Sequence, residues 1–141
     1  MLLSKRHVEP RVLMIEDAED IKELSRLTLE SQACDVVAVE TAEAALALLD
    51  AGRCFDLLFT DVHLEGLDGI ATANHVRDWQ PQLPILVTSG MDEHAVLSRL
   101  REGIHFLPKP YDMSQLLDAI RLCFHHADDA SLVTSPAISM A

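Results

Sequence analysis

Leu57-Leu58-Phe59-Thr60-Asp61-Val62 runs from residues suited to a buried parallel strand straight into a carboxylate, followed by the turn-rich segment Glu65-Gly66-Leu67-Asp68-Gly69. A strand without polar alternation is expected to be covered on both faces, as in α/β folds. Asp61 then sits at the lip of the sheet, at the C-terminal end of its strand. That lip is where open α/β sheets bind ligands.

Working outward, four more apolar runs read as strands: Arg11-Val12-Leu13-Met14-Ile15, Asp35-Val36-Val37-Ala38-Val39, Pro84-Ile85-Leu86-Val87-Thr88 and Ile104-His105-Phe106-Leu107. Between them apolar residues recur at helical spacing. Ile21, Leu24, Leu27 and Thr28 mark the first helix, with Asp20 as its cap; Ala42, Ala45, Leu46 and Leu49 mark the second, and Ile70, Ala73 and Val76 the third. Asp92 offers a cap to a fourth helix carrying Val96, Leu97 and Leu100. Gly52 and Gly103 are the expected stops of the second and fourth. Asp112 with Gln115 has the form of a capping box, and Met113, Leu116, Leu117, Ile120 and Phe124 form the stripe of the last helix.

Five short strands alternating with five helices predict a parallel sheet with helices on both faces and right-handed crossovers. Residues 1–10 read as a flexible lead-in, 11–125 as one domain, and 126–141, small and polar without period, as a flexible tail.

The formal charge of -12 on 141 residues argues against nucleic acid as a partner, because that affinity rests on clustered Lys and Arg. Cys34, Cys54 and Cys123 are odd in number and widely spaced, which suits reduced packing thiols better than a disulfide frame or a zinc site. Ser4-Lys5-Arg6-His7 follows Met1-Leu2-Leu3 at once, so an apolar leader is not expected, and no run approaches the ~18 apolar residues of a membrane span. The expectation is a cytoplasmic protein without membrane contact.

Glu16-Asp17-Ala18-Glu19-Asp20 places four carboxylates directly after the first strand. A helix N-terminus accounts for Glu19 and Asp20. It accounts poorly for Glu16 and Asp17, which lie at the same kind of sheet edge as Asp61. Ser89 ends the fourth strand, where a hydroxyl is also a common turn former, and Lys109 follows the fifth between Pro108 and Pro110. All five side chains are therefore expected at one end of one sheet. Crowded carboxylates repel by about 4 kcal/mol for a pair at ~4 Å under an effective dielectric near ~20, so the site favours a divalent cation. Hard oxygen ligands point to Mg2+. A magnesium ion and a lysine beside a carboxylate are parts for phosphoryl transfer, with Asp61 as nucleophile.

The acidic pair Glu16-Asp17, the strand-end Asp61 with its Gly-rich turn, Ser89-Gly90, Phe106 and Lys109-Pro110 resemble the receiver domain of two-component response regulators, over residues 11 to 125. The resemblance implies a flavodoxin-like doubly wound sheet in the order 2-1-3-4-5 with five helices. It implies phosphorylation of Asp61 by a histidine kinase or a histidine phosphotransfer protein. It also implies direct magnesium ligation by Asp17, Asp61 and the backbone carbonyl of His63, with Glu16 acting through water. Lys109 and Ser89 would meet the phosphoryl group, Phe106 would turn inward behind Ser89, and Lys109-Pro110 would be cis. The switched face would be that of helix four, strand five and helix five. In this reading the protein is not an enzyme but a signalling receiver, a monomer or weak homodimer, standing alone or excised from a hybrid kinase or longer regulator. Its downstream protein target is left open.

Three positions depart from the family's pattern: Glu16 stands for the usual Asp, Glu65 for the usual Pro, and the segment from Ser89 to Lys109 is short. Two other readings compete. A haloacid dehalogenase-type phosphatase also uses a strand-end Asp, magnesium and a lysine, but needs a second Asp where this chain has His63. A receiver-like module that is never phosphorylated has no evident use for Asp17, Asp61, Ser89 and Lys109 together. The His63 side chain is expected to face solvent, His125-His126 to lie on different faces of a solvated helix end, and Trp79 to pack in the loop before Pro81.

Overall fold

The computed structural model describes residues 9 to 63 and 68 to 132. Along the chain the elements are β1 (Arg11–Ile15), α1 (Glu19–Ser31), β2 (Asp35–Val39), α2 (Ala42–Asp50), β3 (Leu57–Asp61), α3 (Gly69–Trp79), β4 (Ile85–Ser89), α4 (Glu93–Leu97), β5 (His105–Pro108) and α5 (Met113–Leu132). All strand pairings are parallel, in the order β2-β1-β3-β4-β5. The doubly wound five-stranded sheet with five helices is thus as the sequence implied.

Alternation along the strands divides the core in two. Leu13, Ile15, Leu58, Ile85 and Val87 face Ala45 and Leu49 of α2, Ile70, Ala73 and Val76 of α3 and Val96 of α4. Val12, Met14, Leu57, Phe59, Leu86 and Leu107 face Leu29 of α1 and Leu116, Ile120 and Phe124 of α5. The central strands β3 and β4 are buried at every residue, which is why their sequences carry no polar alternation. The register sets Asp61 opposite Thr88 and Ser89 opposite Pro108, so the ends of β3, β4 and β5 form one edge.

Local signals hold in detail at several caps. Asp112 and Gln115 bond reciprocally, each side chain accepting the other's backbone N–H at 2.7 and 2.8 Å. Asp68 and Asp92 cap α3 and α4, and Gly52 sits just past α2 with φ +88.

Elsewhere the structure corrects the reading. α1 begins at Glu19 with Ala18 as an uncapped N-cap, so Asp20 lies in its first turn. Its buried side is Ser25 and Leu29, while Ile21, Leu24 and Leu27 are exposed by 37, 53 and 52%. Gly103 is not the stop of α4, which ends at Leu97; it turns the chain at φ +87 before β5. Trp79 is the last residue of α3 and 41% exposed. Cys34 and Cys123 are buried as expected, but Cys54 is exposed. α5 continues to Leu132, past the boundary expected at residue 125, since helix propagation needs no apolar periodicity once the helix is under way. Among the described residues, no helix is long and apolar enough to cross a membrane.

Candidate functional site

Four of the five strands deliver a polar residue to the shared edge because a parallel sheet points all its C-terminal ends the same way. Glu16 follows β1, Asp61 ends β3, Ser89 ends β4 and Lys109 follows β5. Carboxylate oxygens of Glu16, Asp17 and Asp61 lie within 4.8 Å of one another. The Lys109 Nζ stands 2.7 Å from Asp61 Oδ2 and 3.8 Å from Glu16 Oε1. The second Asp61 oxygen, Oδ1, accepts the His63 backbone N–H at 3.1 Å. Asp61 is thereby oriented on both sides while remaining 5% exposed.

The electrostatics follow from burial. Glu16 is buried, and loss of hydration pushes its carboxyl above the ordinary 4.5, against the opposing pull of the Ala18 N–H at 3.1 Å and of the Lys109 ammonium. Burial disfavours the charged form of Lys109, but its hydrogen bond to Asp61 and the charges of Asp61 and Glu16 outweigh that, and its net shift is upward. Three carboxylates against one ammonium leave the cluster short of positive charge. The donors are oxygen only, close together and partly open through the exposed Asp17, which suits a hard divalent cation such as magnesium.

Ser89 is fully buried. Its Oγ accepts the Met91 N–H at 2.9 Å, and its carbonyl accepts the Lys109 N–H at 2.9 Å, tying the end of β4 to the start of the lysine loop. The Lys109-Pro110 bond is cis. Phe106 packs, half-buried, against the α2/α3/α4 cluster. The His63 side chain is exposed, as expected, and Glu65 lies outside the described residues. α4 has only five residues, in keeping with the short Ser89–Lys109 segment.

Three supporting residues escaped the sequence reading. The Thr88 hydroxyl, buried, donates to the Leu107 carbonyl at 2.7 Å and ties β4 to β5. Tyr111 packs against Phe59, and its hydroxyl lies 3.5 Å from Ser25 Oγ, so the lysine loop leans on α1. Gly69 approaches the backbone of Asp61 and Val62 so closely that a Cβ there would collide with the Asp61 carbonyl and come within 2.7 Å of the Val62 Cα. The Asp61-to-Gly69 spacing carried that last signal. The first two depend on which face each residue takes in the folded chain.

Comparison with known proteins places the chain in a family. The response regulator receiver domain family model matches residues 12–121. The response regulator protein FleR of Pseudomonas aeruginosa is 34% identical over 112 residues, covering 78% of this chain and 24% of that protein. The DNA-binding transcriptional regulator NtrC of Salmonella typhimurium is 26% identical over 117 residues, covering 82% and 25%. This chain therefore spans about a quarter of the length of these curated relatives. Among solved structures, the signal receiver domain of an HD domain-containing protein from Pseudomonas fluorescens superposes with a TM-score of 0.78 at 24% identity, covering 86% of this chain and 98% of that one. NtrX from Brucella abortus gives 0.80 at 24% identity, covering 94% and 32%. These two likenesses speak to the fold alone. With the family model matched from β1 into α5, and an acidic cluster at the sheet edge that fits a phosphoacceptor site, this chain belongs to the response regulator receiver domain family.

Proposed function

We propose that Asp61 accepts a phosphoryl group from a phosphohistidine, presented by a histidine kinase or a histidine phosphotransfer protein. The observation that carries this reading is the 2.7 Å contact of Lys109 Nζ with Asp61 Oδ2 inside the three-carboxylate cluster. An Asp61 oxygen attacks phosphorus, the P–N bond breaks, and the imidazole leaves with the electron pair. Lys109 passes from pairing Asp61 to pairing a phosphoryl oxygen, so no buried charge is left alone. Asp17, Asp61 and the His63 carbonyl would hold magnesium, with Glu16 acting through water. Magnesium bound there supplies positive charge toward the phosphoryl oxygens. Ser89 gives up the Met91 N–H and turns its hydroxyl to the phosphoryl group, and Phe106 fills the space behind it. The output is a changed binding surface rather than turnover of a substrate.

The partner's approach is suggested by α1. It begins two residues after Asp17, and its exposed Ile21, Leu24 and Leu27 form an apolar row leading away from the site. A helix of the phosphohistidine protein packing on that row would bring its imidazole to the mouth.

A small phosphodonor with magnesium tests the acceptor. The expected result is one phosphoryl group per chain, absent in Asp61→Asn. Multiple turnover of phosphate monoesters would support a hydrolase instead, and failure to label would support the inert module. Leu24→Asp should slow transfer from a phosphohistidine protein while leaving labelling by the small donor unchanged; equal slowing of both would remove α1 from the docking surface.

A further inference from the structure

α2 and α3 pack on the face of the sheet opposite α1 and α5, and their outer surfaces leave an open groove of about 770 Å³. Its floor is Leu46 and Ala47 of α2 and the indole of Trp79 at the end of α3. The His75 ring lies beside that indole, with centroids 5.8 Å apart. Glu43 and Asp50 stand along the α2 side, separated by two helical turns, and Asp78 stands on the α3 side. Asp78 is engaged by Arg101. Among the described residues, Glu43 and Asp50 form no ion pair.

The Trp79 indole, 41% exposed beside Leu46 and Ala47, offers a partner an aromatic surface to cover, the residue type that most often anchors an interface. The rim selects the occupant by charge. Two uncompensated carboxylates repel an acidic segment and attract Lys or Arg, one of which can lie over the indole face. A second copy of this chain is a poor occupant. Each described Lys or Arg is committed to its own chain, to a carboxylate in most cases, to the Pro81 carbonyl for Arg77 and to the Phe55 ring for Arg53. We propose that the α2/α3 groove docks a basic amphipathic segment of another protein, an apolar side chain entering beside Trp79 and cationic side chains reaching Glu43 and Asp50. The groove lies across the sheet from α1, so a protein engaged on α1 leaves it open.

Trp79 is the chain's single tryptophan and reports the groove directly. The probe is a helical peptide with Leu at helical spacing flanked by Lys and Arg, titrated against the full chain. A saturating change in Trp79 emission is expected, weakened about tenfold or more by Glu43→Lys with Asp50→Lys, as loss of two attractive charges beside a cation–π contact requires. The matched reversal Glu30→Lys with Asp118→Lys, on α1 and α5, should leave it nearly unchanged. The groove variants should still accept one phosphoryl group from a small donor, which separates this site from Asp61. Absence of a saturating change overturns the proposal. So does equal weakening by both double variants, which would reduce the effect to net charge, or equal binding of a peptide in which every Leu is replaced by Ser.

Discussion

Replacing Lys109 with Met keeps much of the side chain's volume and removes the ammonium that pairs with Asp61 and lies near Glu16. The Asp61 and Glu16 side chains are only 6 and 5% exposed and Lys109 only 25%, so solvent does little to screen the contact. A hydrogen bond between charged groups contributes about 1.5–3 kcal/mol, and stranding a buried charge costs up to about 5; because Asp17 opens the cluster to water, the expected loss is about 2 kcal/mol at neutral pH. With a urea slope of about 2 kcal/mol/M, the midpoint should fall by about 1 M in chelator. The pH window follows from the shifts. Glu16 has a raised value, so its contribution favours the fold below the ordinary 4.5 and is lost as pH rises through its folded value; without Lys109 that penalty grows. Lys109 also has a raised value, so its contribution is fully present below the ordinary 10.5 and is lost as pH rises through its folded value. The gap between native and Lys109→Met should therefore be widest between these limits and close toward acid and toward strong alkali. Magnesium should narrow it, because a cation replaces the missing ammonium. Equal midpoints in chelator at neutral pH, or a gap that widens on acidification, would refute the electrostatic account.

Gly69→Ala should destabilise the chain by about 1–3 kcal/mol, as overpacking against unyielding backbone does, and should lower the urea midpoint without changing the slope. Asn74 bridges the segment after α4 to α3, donating to the Arg99 carbonyl and accepting the Arg101 N–H, both at 2.8 Å. Asn74→Ala should speed hydrogen exchange at the Arg101 amide while leaving amides of β3 as protected as before. Burial pushes the Cys34 thiol up to about 11 and that of Cys123 to about 12, so a thiol reagent at neutral pH should label the exposed Cys54 alone in the folded chain. Labelling of all three at similar rates would place Cys34 and Cys123 nearer the surface than described.

The central sheet was legible because β3 and β4 are buried on both sides, so each begins with three apolar residues in a row and its polar residues come only at the C-terminal end. The site was legible for a related reason: a carboxylate, hydroxyl or ammonium adjoining an apolar strand has few places to go except the sheet edge. Helix α1 was misread because exposed Ile21, Leu24 and Leu27 repeat at the same spacing as a buried stripe. Periodicity reports an apolar face without saying whether the fold or a partner covers it. Gly103 reads as a helix stop because a left-handed turn at glycine serves equally well after a helix and before a strand. Trp79 reads as a packing residue in the loop before Pro81, whereas in the fold it ends α3 with its indole 41% exposed, a placement that the local sequence does not set.

The short α4 constrains how a change at Asp61 can spread. By strand alternation, Asp61 and Glu16 belong to the α1/α5 side of the sheet, while Ser89 and Phe106 belong to the α2/α3/α4 side. On the proposed phosphorylation of Asp61, the Ser89 hydroxyl would be the group that carries the change to the other face. Behind it, α4 offers five residues, and the segment after it is tied to α3 by the two Asn74 hydrogen bonds and by the pairs Arg99–Asp68 and Arg101–Asp78. At about 1 kcal/mol for each hydrogen bond and a few tenths for each exposed pair, these ties resist displacement by about 2–3 kcal/mol. Carrying a two-state equilibrium from 1:99 to 99:1 takes about 5.5 kcal/mol. A switch that must also release the ties has that much less differential interaction left for populating the active form. Phosphorylation alone is then expected to shift the equilibrium partway, and a protein that binds the released surface to complete it.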